Sequence, residues 1–104
     1  MDEMSDADRA FYERADAHIH LANDQLSEQV SIGDVSASAM FGVARFNAYT
    51  SAADFGSSQE LAAEKMNIIE YFVGEYRQML AEHLADYIQH FDEYLSSSAD
   101  SSGE

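Results

Sequence analysis

Between Met66 and Leu95 apolar residues recur every three or four positions: Ile69, Phe72/Val73, Tyr76, Met79/Leu80, Leu84, Tyr87/Ile88, Phe91 and Leu95. Residues at those steps share one face of an α-helix, so the run draws a single apolar stripe. Glu70, Glu75, Glu82, Gln89 and Asp92 mostly fall outside it, toward water. The stripe is broad and rich in aromatic rings. A helix of that kind is expected to be covered by other helices.

Two shorter helices are predicted upstream. The first runs roughly over 6–28, with Ser5 as its cap, Asp8 in the reciprocal capping position and Asp6 favourable to the helix dipole. Its stripe is Phe11, Ala15, Ile19, Ala22 and Leu26. Ser31-Ile32-Gly33-Asp34 reads as a turn around its glycine. The second helix then spans 36–55, with Gly56 as a left-handed stop. It is rich in small residues and nearly free of charge, which places it between the other two, with Met40, Val43, Ala44 and Phe46 inward.

The third helix opens at Ser57-x-x-Glu60, a capping box, and is predicted over 58–95. Gly74 is a weak break, and Asn67-x-x-Glu70 offers a second cap. The fold class is therefore all-α: a three-helix bundle with a long C-terminal helix, or four helices with a break near Asn67. Residues 1–5 read as a disordered acidic end, 6–95 as one helical domain, and 96–104 as a disordered serine-rich acidic tail.

Composition narrows the function classes. No segment alternates with period two, and the chain has no proline, so strands are not expected and long helices are. It has no cysteine, which removes disulfides and thiolate metal sites. No apolar run nears the roughly 20 residues that span a bilayer. The opening MDEMSDADR is acidic where a signal peptide is basic, so a cytoplasmic protein is expected. The formal charge is −15, from 20 Asp and Glu against 5 Lys and Arg. Such a surface repels phosphate backbones and anionic lipids, so neither nucleic acid nor membrane is an expected partner.

Candidate chemistry is sparse. His83, Asp86 and His90 share a face of the third helix, and Asp16 and His20 form a similar pair on the first. Together these five could offer nitrogen and oxygen ligands to zinc or iron. Against that, Glu-x-x-His, the spacing on which di-iron bundles rely, occurs nowhere. Surface histidines held by neighbouring carboxylates are the simpler account, and no cofactor is expected. Arg45 sits in the charge-poor second helix with no acid three or four residues away, so it is expected to be buried and paired with a carboxylate of another helix. Phosphate loops, nucleophile elbows and ordered Ser/His/Asp sets are absent.

Three blocks belong together: FYERADAHIHLANDQ, VSASAMFGVARFNAYTSA and EYFVGEYRQMLAEHLADYIQHFDEY. As a set they resemble a small family of proteobacterial proteins catalogued as domain of unknown function 3144, over most of residues 10–95. The resemblance implies a small, soluble, all-helical bacterial protein, and no activity, cofactor or catalytic residue to carry over.

The functional expectation is a non-enzymatic protein-interaction or assembly module. It pairs as a homodimer, or with another protein, through Tyr87, Ile88, Phe91 and Leu95 of the third helix. The alternative is a metal- or small-ligand-binding helical protein using His83, Asp86 and His90 with Asp16 and His20.

Overall fold

Ser5 opens the first helix: its hydroxyl accepts the Asp8 N–H at 3.0 Å, satisfying one of the donors that a helix start leaves unpaired. In this computed structural model, which describes residues 4–96, α1 spans Asp6–Asp24, α2 Ile32–Ala52 and α3 Ser58–Gln89. A π-helical turn, Asp92–Ser96, follows α3. The architecture is all-α with a long C-terminal helix, and no strand occurs among the described residues. The ends expected to be disordered lie largely outside them, at 1–3 and 97–104. The chain divides into two compact units, Met1–Asp54 and Phe55–Glu104.

In the first unit α1 stops at Asp24, four residues short of the predicted end. Ser27 is the cause. Its hydroxyl accepts the Gln29 N–H at 3.1 Å, and its backbone exchanges two hydrogen bonds with Val30, at 3.2 and 3.3 Å. Serine offers the backbone this local alternative to the helix, and here it prevails.

Helix α2 begins at Ile32, not near Ser36, because Ser31 to Asp34 is a capping box and not a turn. The Asp34 N–H donates to the Ser31 hydroxyl at 3.1 Å, and the Ser31 N–H donates to Asp34 Oδ2 at 3.0 Å. Gly33 is an ordinary helical residue, and no described glycine has positive φ. Gly56 is therefore not a left-handed stop. The C-cap of α2 is Ala53, in right-handed geometry, and the Gly56 N–H donates instead to Glu60 Oε1 at 3.0 Å.

Helices α1 and α2 touch, yet they bury little between them. Val35, 6% exposed, is the one buried residue among those described. Along the α1 stripe only Ala15 and Ala22 are half-sheltered, while Phe11, Ile19 and Leu26 stay exposed. Met40, Val43, Ala44 and Phe46 of α2, expected inward, are exposed as well. A single seam between two helices covers one narrow face of each, and α2 is apolar on nearly every face.

The second unit holds α3 and the π-helical turn. Ser57 caps α3 by accepting the Glu60 N–H at 3.1 Å. The helix passes Asn67 without a break; Asn67 Nδ2 donates to Glu64 Oε1 at 3.0 Å, a surface pair one turn apart. Leu61, Ile68 and Phe72 are half-buried, and the rest of the stripe is exposed. No described helix is long and apolar enough to cross a membrane.

The Ser31 box predicts that Ser31→Ala lowers stability by about 1 kcal/mol in urea unfolding. Far-ultraviolet circular dichroism on the same sample should show α-helix well above half of the residues.

Candidate interaction surface

The end of α3 carries Tyr87 and Ile88, Phe91 lies one residue past its C-cap, and Leu95 sits in the π-helical turn. All four are exposed, Ile88 at 76% and Phe91 at 58%. Among the described residues of this unit there is no second long helix, so none of them forms a helical cover for the stripe.

A polar cluster fixes the geometry beside these side chains. The backbone leaves α-helical form at His90, φ −115° and ψ 30°, and then widens into the π-helical turn. His90 Nδ1 lies 2.7 Å from Glu93 Oε1, and His90 Nε2 lies 3.9 Å from Asp86 Oδ1. The Tyr94 hydroxyl donates to Asp86, at 3.2 Å to Oδ2 and 3.4 Å to Oδ1. The Tyr94 ring meets Tyr87 edge-on, with centroids 5.1 Å apart, a favoured aromatic geometry. Negative charge on Asp86 raises the Tyr94 hydroxyl above its ordinary pKa of 10.0, with smaller contributions from desolvation and from the hydrogen bond.

Of the residues singled out for metal, the structure thus brings Asp86 and His90 together. His83 is exposed on α3, and Asp16 and His20 are exposed on α1. Among the described residues no three His, Cys, Asp or Glu side chains are placed to hold a metal ion. Glu93 and Tyr94 were not legible as cluster members beforehand. Glu93 stands three residues after His90, a spacing that could have flagged it. Tyr94, eight residues after Asp86, follows no α-helical pairing rule.

Arg45 corrects another expectation. It is exposed on α2, and among the described residues no carboxylate forms an ion pair with it. The face that carries it is not covered by α1, so nothing forces its charge out of water. Phe41, 76% exposed, lies one turn before it, and Phe46, Tyr49 and Met40 are also more than half exposed.

The Tyr94–Asp86 contact predicts a phenol that ionises above pH 10.0 in a spectrophotometric titration, returning toward that value in Asp86→Asn. Because the folded value is raised, the contact stabilises the chain fully below the unfolded pKa. Its contribution fades as pH climbs through the folded one.

No curated protein matches the chain. Among solved structures it is similar to the NMR structure of the protein NB7890A from Shewanella sp, at 36% identity and a TM-score of 0.72. That likeness covers 84% of this chain and 92% of that one. A family described as proteins of unknown function, DUF3144, matches residues 11–88, a span holding most of α1, all of α2 and all but the last residue of α3. The chain belongs to the DUF3144 family.

Proposed function

We propose that this protein is a non-enzymatic assembly module whose α3 pairs with α3 of a second copy. The observation that carries the reading is the exposure of Tyr87, Ile88, Phe91 and Leu95 at the end of a helix with no partner helix among the described residues of its own unit. Contiguous apolar surface of that kind marks an interface in a protein that stays in solution.

Length supports the same reading. At about 1.5 Å per residue, the 19, 21 and 32 residues of α1, α2 and α3 reach roughly 28, 32 and 48 Å. Neither short helix can line the whole of the long one.

Energetics favour a second copy over a one-sided contact. Covering the exposed half of each of the four side chains returns about 1 kcal/mol. Association itself costs at least about 4 kcal/mol, so four residues contributed from one side barely break even. A two-fold antiparallel pairing contributes the same four from both chains and closes without leaving a free end.

Charge sets the condition dependence. Helix α3 carries six carboxylates against Lys65 and Arg77, so two copies repel, and screening by salt relieves that repulsion. Sedimentation equilibrium at micromolar concentration should therefore show association that tightens from low to high salt. A monomer under both conditions rules the reading out. Phe91→Glu should lower the mass seen at high salt while leaving the helix content nearly intact.

A further inference from the structure

Charge is unevenly distributed over this acidic chain, and α2 is where it vanishes. Helix α1 carries five carboxylates against Arg9 and Arg14, and α3 is similarly acidic. Along all of Ile32–Ala52 the charged residues are Asp34 and Arg45 alone, one of each sign. Two copies of so acidic a protein meet at least electrostatic cost through the element that is neutral.

The positions of those two charges are informative. Asp34, Ser38, Phe41, Arg45, Ala48 and Ala52 follow one another at steps of four and three, so they share one face of α2. Phe41 stands out from that face among small neighbours, Ala37, Ser38 and Ala48. We propose that this face pairs with the same face of a second copy, antiparallel about a two-fold axis between Ala39 and Met40.

Under that symmetry a residue meets the one whose number brings the pair to 79. Asp34 then faces Arg45 of the other chain, and Arg45 faces its Asp34. Phe41 settles over Ser38 of the other chain, with Ala37 opposite Gly42 beside it.

Each of these pairings suits the side chains present. Arg45 finds the carboxylate that the described residues of its own unit do not supply. Asp34 already accepts the Ser31 N–H on Oδ2, and a carboxylate has capacity for further bonds. The Ser38 hydroxyl donates to the Val35 carbonyl at 3.2 Å, so covering it with a ring strands no donor. At Gly42, apart from its chain neighbours and the nearby backbone of its own helix, no described atom comes within 4 Å of where a Cβ would stand, which leaves the backbone open to close approach. The two-fold pairing also generates both ion pairs from a single arginine and a single aspartate per chain.

The proposed face lies on α2 and uses no residue of α3, so its test is run on the full chain carrying Phe91→Glu, where the α3 pairing is removed. Sedimentation equilibrium should still find a dimer. Adding Arg45→Glu sets like charges against each other at both ends of the interface and should weaken the dimer on the order of 100-fold, and Asp34→Arg should do the same. Mixed in equal amounts, the two variants place opposite charges at both contacts, and the dimer should return. Phe41→Glu, which leaves the Ser31 cap untouched, should give a monomer of unchanged helix content by circular dichroism. A dimer that survives Arg45→Glu or Phe41→Glu, or a mixture that stays monomeric, overturns the proposal. If instead the wild-type chain associates and the Phe91→Glu chain is monomeric, the α3 reading stands and this one falls.

Discussion

A helix shorter than a few dozen residues holds its shape in water chiefly because something covers its apolar face. That dependence governs everything else in this chain. Of the described residues Val35 alone is buried, while rings and branched side chains stay in contact with solvent on all three helices. Capping compensates locally. Ser5, Ser31 and Ser57 each satisfy a backbone donor at a helix start, contributing about 1 kcal/mol apiece. Those contributions define where helices begin, but they do not amount to a core. Among the described residues, contacts within each unit leave those faces open.

Electrostatics decides which cover is admissible. An acidic excess keeps most faces of the molecule apart from one another, and only screening or matched charge lets two of them approach. The two faces discussed above meet these conditions differently. The end of α3 is apolar but flanked by carboxylates, so in the proposed pairing salt would control it. The Asp34–Arg45 face of α2 is balanced within itself, so in the proposed pairing specificity would lie in charge pattern and not in net charge.

Much of this architecture was legible from spacing alone. The period of three and four in residues 66–95 fixed α3, and Ser57-x-x-Glu60 marked its start correctly. Boundaries governed by competing hydrogen bonds were harder. Ser31-x-x-Asp34 has the form of a capping box, yet Gly33 inside it suggests a turn, and the local pairing of Ser27 with Val30 leaves no periodic trace. Burial was the least legible property. Apolar periodicity reports which side of a helix prefers to be covered and says nothing about what covers it, so Met40, Val43 and Phe46 were placed inward and are exposed. For the same reason Arg45 looked like a buried ion. The cluster of Asp86, His90, Glu93 and Tyr94 was half visible: the α-helical spacings could be read, and the departure into a π-helical turn could not.

That turn has a geometric effect on any helix laid along α3. A π-helical turn packs more residues into each revolution than an α-helix does, so side chains rotate less from one residue to the next. Leu95 consequently falls out of phase with the line drawn by Tyr87, Ile88 and Phe91. The apolar track ends in a lateral step, held in place by the contacts of His90 with Glu93 and of Tyr94 with Asp86. A straight track allows a mate to slide by one turn at little cost, because every turn looks like the last. A track with a step does not. The few residues after Gln89 can therefore act as a stop that sets the register of whatever lies along the helix.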